Sequence, residues 1–338
     1  MTALAPGAPA PWFRGRNPSN PEFDFDTVGG RFVLLAFLPS EMTARAAAMQ
    51  QVGARRALFD EAKAVAFMVA RDEATAKAAT DLRGLRWFFD LDGAISRLYG
   101  ALDADGLEHP QWILLDPTLR VLSLAPIDRP EALFALVDAL PEPAAHAGAP
   151  MVAPVLVAPR IFEPALCQAL IDCYEGESAR FTGVMRDEGG ETRYVLDELK
   201  RRRDVVIADR ALLQAIVERL KTRLFPEIRK AFQYQVGAIE RFIVSCYDAA
   251  DAGVFHAHRD NTTKATARRR FACSINLNAD FEGGQLAFPE YGGELHRPPL
   301  GGAVVFSCAL LHEVKPMTRG RRFAFLPFFL DAPQADTA

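Results

Sequence analysis

The chain has 338 residues, half of them apolar and about a quarter charged, and carries a net charge of -4. That length allows two domains with cores of ordinary size, while the charge gives no general pull toward nucleic acid or anionic membranes. No apolar run reaches the roughly 18 residues of a membrane span, and the opening MTALAPGAPAPWF lacks the basic stretch and apolar run of a secretory leader, so a cytoplasmic location is expected.

From the amino terminus, RFVLLAFLP (31–39) reads as a buried strand ending at Pro39, followed by an Ala-rich helix over 43–58. AVAFMVA (64–70) is a second buried strand, with a helix over 73–81. QWILLDP (111–117) and RVLSLAP (120–126) form a hairpin across an Asp-Pro turn, and 129–140 close the segment as a helix. Strands alternating with helices predict an α/β domain with a partly parallel sheet. A stretch rich in Pro, Ala and Gly, PEPAAHAGAPMVAP, marks a linker, placed at 143–157. Beyond it, helices at 163–175 and 209–223 precede the strand-like runs AIERFIVSCY, RRRFACSINLN, GGQLAFPE, GGAVVFSCALLHEV and RRFAFLPFFLD. Short strands after a few helices predict an α+β domain built around a β-sandwich or jelly roll. The five cysteines (Cys167, Cys173, Cys246, Cys273 and Cys308) lack any CxxC spacing and read as small core residues, not as disulfides or zinc ligands.

Chemistry concentrates in FHAHRDN, where His258 and Asp260 are separated by one residue. On an extended strand such residues share a face. His312, at the end of the apolar run CALLHEV, supplies a second imidazole. Two histidines and one carboxylate suit iron(II) with its remaining octahedral positions open. Arg322 follows His312 by ten residues at the start of the next apolar strand. If the two strands pair, its guanidinium enters the same cavity and grips a carboxylate through two parallel hydrogen bonds. His256 is the rival ligand, but only His258 is followed by x-Asp. His109, His146 and His296 read as surface or loop residues. Lys200–Arg203 and Arg268–Arg270 read as solvated faces. The polar segment GVMRDEGGETRYVLDELK, within 182–204, is a candidate substrate lid.

Taken together, Tyr247, Gly253 and Phe255 leading into His258-Arg259-Asp260, then SINLNADFEGGQLAFPEYGG and GGAVVFSCALLHEVKPMTRGRRFAF, resemble the prolyl-4-hydroxylase type of Fe(II)/2-oxoglutarate-dependent oxygenases over residues 158 to 331. The resemblance implies a double-stranded β-helix (jelly-roll or cupin-like) fold over 158–338 and Fe(II) held by His258, Asp260 and His312. It implies that Arg322 binds the distal carboxylate of 2-oxoglutarate and that Tyr247 hydrogen-bonds the cosubstrate. Asn276 falls where some relatives place another cosubstrate-contacting tyrosine. With O2, and with ascorbate as an accessory reductant, the implied reaction is hydroxylation of a protein (prolyl first) or small-molecule substrate, releasing succinate and CO2.

Residues 1–142 carry a second resemblance. LAPGAPAPWF followed by RFVLLAFLPSEMT is similar to the start of a peroxiredoxin, a thioredoxin-fold family. Phe37, Pro39 and Thr43 fit its Phe-x-Pro-x-x-x-Thr-x-x-Cys pattern, but Ala46 stands where the reactive Cys belongs, and His109-Pro110-Gln111 precede the later strand pair where relatives supply an Arg. The first 160 residues contain no cysteine, which argues against a thiol peroxidase. A thioredoxin-like domain without thiol catalysis is expected, serving docking, substrate presentation or pairing with a second copy. The remaining alternative is a non-enzymatic iron, 2-oxoglutarate or oxygen sensor that signals through that domain.

Overall fold

In the computed structural model, which describes residues 4–188, 191–196 and 199–332, the run predicted at 31–39 becomes the central strand of a five-stranded sheet. The strands are β1 (Phe32–Phe37), β2 (Ala64–Ala70), β3 (Leu85–Phe89), β4 (Gln111–Leu115) and β5 (Val121–Pro126). Their order is β3-β2-β1-β4-β5, parallel from β1 to β3 and antiparallel from β1 through β4 to β5. β1 is apolar at every position because both of its faces are covered. Phe32, Leu34 and Ala36 meet Ala48 and Val52 of helix α1 (Met42–Ala54) and Phe134 and Val137 of a later helix (Glu131–Asp138), while Val33, Leu35 and Phe37 meet Phe25, Phe88 and Tyr99 on the other side. Strand β3 and the short helix Ala94–Leu98 were not foreseen. Asp90, just past β3, turns the chain into that helix by accepting from the amides of Ile95 and Ser96 at 2.8 and 2.7 Å.

The chain divides into two units: residues up to Val152 with Pro289–Gly293, and Ala153–Phe288 with the chain from Glu294 onward. Leu156–Ala158, assigned by composition largely to the linker, is instead a strand paired with Ala303–Val305.

In the second unit, the larger sheet includes β6 (Arg203–Val206), β7 (Ile243–Asp248), β8 (Arg269–Asn276), β9 (Arg321–Phe325) and β10 (Phe328–Leu330). β8, β9, β7 and β6 are successive neighbours. Their side chains alternate strictly. Val205, Val244, Cys246, Cys273, Ile275, Phe323 and Phe325 point into a core covered by Leu170, Ile216, Leu220 and Ile228 from the helical segments. Those segments are Pro164–Glu175 and a continuous rod in which Arg210–Arg219 passes through a π turn (Leu220–Leu224) into Phe225–Phe232. The predicted helix at 209–223 therefore runs further than its periodicity showed, because the π turn rotates the apolar stripe. The alternate positions place Asp204, Ser245, Tyr247, Ser274, Asn276 and Arg322 on the opposite face.

The smaller sheet has the order Lys200–Arg201, Val254–His258, His312–Val314, Leu286–Ala287, Leu295–His296. GGAVVFSCALLHEV is thus two strands: Ala303–Ser307 belongs to the larger sheet, and a turn closed by Leu310 N to Ser307 O moves His312–Val314 to the smaller one. Likewise Arg241, at φ 70°, splits AIERFIVSCY, and Pro327 separates β9 from β10. His296, expected in a loop, is buried in the smaller sheet against Phe288.

Gly253 lies where the chain turns from β7 toward His258, its amide donating to Asp248 O at 2.8 Å. A Cβ there would stand 2.7 Å from the Asp248 amide nitrogen and 2.9 Å from its carbonyl oxygen. Gly253→Ala is therefore expected to cost about 1–3 kcal/mol of stability through overpacking, measurable as a shift in the urea midpoint.

Candidate metal centre and its surroundings

Val254–His258 and His312–Val314 pair antiparallel with His258 directly opposite His312. The register slips between Phe255 and His258, and Phe255 stacks on the His258 ring at 3.5 Å between centroids. His256 is exposed, so the irregularity separates the two histidines that simple alternation would place together. Asp260 is not on the strand. It sits in the bend beyond it, its amide held by Cys308 O at 2.9 Å, and so comes to the two imidazoles through a turn.

The three groups converge. Asp260 Oδ1 lies 3.6 Å from His258 Nε2 and Oδ2 lies 3.3 Å from His312 Nε2. The donor atoms of all three lie within 4.8 Å of one another. Neighbouring ligands about 2.1 Å from one divalent ion stand about 3 Å apart, so small adjustments would accommodate one. Both rings face the same way for the same reason. His258 Nδ1 is 2.7 Å from His256 O, and His312 Nδ1 is 3.0 Å from Leu310 O. A carbonyl only accepts, so each Nδ1 carries a proton and each Nε2 is left to face Asp260. His258 Nε2 is buried and has no hydrogen-bond partner. Burial, and then His312, push the His258 imidazole down to about 3, against the pull of Asp260. Burial alone would raise the Asp260 carboxyl, but His312, His258 and Arg241 hold it below the ordinary carboxylate range. A neutral imidazole with an orphaned lone pair beside an ionised carboxylate is the donor chemistry that fits a divalent cation.

Arg322 is only 2% exposed. Its strand does not pair with the one carrying His312, as the sequence suggested. It pairs with β7, Tyr247 opposite Arg322, and with β8. Arg322 Nε donates to Asn276 Oδ1 at 3.0 Å and Nη2 to Ser274 Oγ at 2.7 Å. Among the described residues no carboxylate lies within ion-pair distance of it. Burial brings its guanidinium down to about 10, opposed by Tyr247. Asn276 Nδ2 donates to Pro298 O at 2.8 Å, so both ends of that amide are engaged within the protein. The Tyr247 ring lies against Arg322, whose Cζ is 5.5 Å from the ring centroid.

The charge run at 200–203 is not a solvated face. Strand geometry turns Lys200 and Arg202 inward, 7% and 3% exposed, and leaves Arg201 exposed. Sequence reasoning missed both; alternation within the run is the signal that would have found them. Lys200 Nζ donates to Gly183 O at 3.0 Å and lies 5.5 Å from the Phe255 ring centroid. Within the lid candidate, Val184–Glu188 and Glu191–Val195 form a hairpin. It is tied to the turn after Asp260 by Lys264 N to Asp187 Oδ2 (3.0 Å) and Ala265 N to Thr192 Oγ1 (3.3 Å). Residues 189–190 and 197–198 of that segment lie outside the described residues.

In the first unit Ala46 is exposed on α1. The helix start is capped by Glu41, whose carboxylate accepts from Thr43 N and Ala44 N at 2.7 and 2.6 Å. An acidic cap occupies the amides that would stabilise a thiolate.

Residues 242–330 match the family model described as the 2OG-Fe(II) oxygenase superfamily. Proteins called PKHD-type hydroxylases from two Synechococcus strains are 27% identical over 93 residues, covering 25% of this chain and 41% of theirs. A PKHD-type hydroxylase from Polaromonas is 38% identical over 60 residues, 17% of this chain and 26% of that one. The similarity therefore spans less than half the length of these curated relatives. Among solved structures, a Trichoplax adhaerens prolyl hydroxylase in complex with a hypoxia-inducible-factor peptide is 16% identical with a TM-score of 0.40, covering 53% of this chain and 84% of that one. A Pseudomonas putida prolyl-4-hydroxylase is 18% identical with a TM-score of 0.40, covering 54% and 95%.

The sheet-rich C-terminal region thus carries a 2OG-Fe(II) oxygenase domain.

Burial, then Arg202, push the Lys200 ammonium down to about 6, against Asp204. The unfolded chain keeps its proton to a much higher pH, so between about pH 6 and 10 unfolding takes up a proton and stability rises with pH. Lys200→Met should remove that slope: denaturant unfolding at pH 6.5 and pH 9 should show wild type gaining stability relative to the variant at the higher pH.

Proposed function

We propose that the protein is an Fe(II)- and 2-oxoglutarate-dependent dioxygenase that hydroxylates a protein, with a prolyl residue the first candidate, or a small molecule. One observation carries the reading: the His258–Asp260–His312 cluster, with both Nδ1 protons tied to backbone, lies in the same domain as a buried Arg322 that has no carboxylate partner among the described residues. His258, Asp260 and His312 would hold the iron. When bound, the iron supplies dioxygen activation coupled to oxidative decarboxylation of 2-oxoglutarate to succinate and carbon dioxide. Arg322 neutralises the distal carboxylate of the cosubstrate. Tyr247 offers its hydroxyl to the same molecule. Asn276, placed by the sequence in direct cosubstrate contact, is read here as holding Arg322 in orientation, since both its polar atoms are already engaged. Phe255 shields His258 from water, and the paired strands Val184–Glu188 and Glu191–Val195 are the element suited to closing over substrate.

The first unit is read as redoxin-like without thiol chemistry, used for docking or for pairing with a second copy. Its mixed sheet order, Ala46 and the acidic cap of α1 support this. No helix among the described residues is long and apolar enough to cross a membrane. All five cysteines are free, the state expected in a reducing compartment such as the cytoplasm.

Purified protein given iron(II), ascorbate and 2-oxoglutarate is expected to form succinate, and His258→Ala to lower that rate by about 100-fold or more. Undiminished succinate formation by the variant would sink the assignment. Peroxide consumption without iron would overturn the reading of the first unit.

A further inference from the structure

Arg202 is enclosed by the protein, and among the described residues no hydrogen bond or ion pair joins it to His258, Asp260, His312 or Arg322. Its Nη2 donates to Asp204 Oδ2 at 2.8 Å. Asp204 is itself fixed by Ser245 Oγ on Oδ1 at 2.6 Å and Thr182 Oγ1 on Oδ2 at 2.7 Å. The guanidinium is therefore locked from behind. Its free end reaches the hydroxyl of Tyr247, with Nη1 at 3.3 Å. Its Cζ lies 5.7 Å from the Tyr247 ring centroid, and that of Arg322 lies 5.5 Å from the same centroid. It also lies 6.0 Å from the ring of Phe255, which packs on His258.

A guanidinium only donates hydrogen bonds. The Tyr247 oxygen must therefore accept from Arg202, and its own hydrogen is free to point elsewhere. A phenol left alone can rotate and act as donor or acceptor, whereas this one is held as a donor. A donor fixed beside a cation complements a carboxylate. Because Asp204 balances Arg202, this orientation is achieved without placing a second unpaired charge against Arg322. Two apolar residues in place of the Arg202–Asp204 pair would cost less desolvation, which favours a role for the pair beyond packing.

We propose that Arg202, locked by Asp204, is a positioning residue that presents the Tyr247 hydroxyl as a hydrogen-bond donor to a carboxylate of the cosubstrate. This rests on reading the site as an iron and 2-oxoglutarate centre, and it concerns a residue that acts through Tyr247.

The test is a double-mutant cycle on the full chain loaded with manganese(II), which allows 2-oxoglutarate affinity to be measured by calorimetry without turnover. Arg202→Met and Tyr247→Phe are each expected to weaken 2-oxoglutarate by roughly tenfold. The double variant should be no weaker than Tyr247→Phe alone. Arg202→Lys, which keeps a cationic donor, should recover part of the loss. With the iron form, the KM for 2-oxoglutarate should rise in Arg202→Met more than kcat falls. Manganese affinity should stay unchanged, which a general collapse of the site would not allow. If Arg202→Met does not fold, Arg202→Lys carries the same comparison: a modest loss that disappears in the Tyr247→Phe background supports the proposal. Losses that multiply in the double variant, or an Arg202→Met protein that binds 2-oxoglutarate as wild type does, would overturn it. A wild-type protein that binds manganese but not 2-oxoglutarate would instead overturn the reading of the site, and the proposal with it.

Discussion

The pleat of the larger sheet in the second unit is the constraint on which the rest depends. Each strand sends alternate residues to opposite faces, and the helices cover only one of them. Val244 and Cys246, Cys273 and Ile275, Phe323 and Phe325 go to the helix-covered core. Their neighbours Ser245 and Tyr247, Ser274 and Asn276, and Arg322 are left on the other face, where each finds a polar partner. A single geometric period thus builds a dry foundation and a polar floor from the same residues. The apolar side supplies the rigidity that holds the polar side chains in place. The buried guanidinium of Arg322 is oriented on this base by two fixed acceptors, Asn276 Oδ1 and Ser274 Oγ.

The candidate metal centre follows a different logic. It belongs to the smaller sheet, whose strands are short and irregular. Its order comes from backbone carbonyls: His256 O and Leu310 O set the proton on each imidazole, and Cys308 O fixes the bend that brings Asp260 in. The two sheets therefore divide the work. One holds the buried guanidinium of Arg322, and the other holds three potential donor atoms close together. The cluster stands out as a candidate metal centre because His258 Nε2 is buried without a hydrogen-bond partner.

Much of this was written in the sequence, though unevenly. The spacing of His258, Asp260, His312 and Arg322 drew attention to the residues that the structure brings into one domain, and the continuous apolar runs announced β1 and β2. What the sequence concealed were the breaks. Nothing local in GGAVVFSCALLHEV says that the chain changes sheets between Ser307 and His312, since both halves are equally apolar. Pairing partners were hidden for a related reason: Arg322 meets Tyr247 across seventy-odd residues of chain, and periodicity carries no information about which strands are neighbours. The aromatic run Leu85–Phe89 was short enough to pass as loop. Lys200 and Arg202 were misread because a cluster of charges invites an average, whereas a strand treats odd and even positions as unrelated.

That last feature has a consequence for how the segment tolerates change. Between Lys200 and Ile207 the even positions Lys200, Arg202 and Asp204 turn away from the helical core, while Val205 and Ile207 turn into it. Losing or gaining one residue here would exchange the two sets, driving charge into hydrocarbon and apolar side chains onto the polar floor. The stretch is thus a ruler as much as a set of side chains. Its length constrains the fold more tightly than its composition, and a shift of one step would damage the polar face without altering a single amino acid in it.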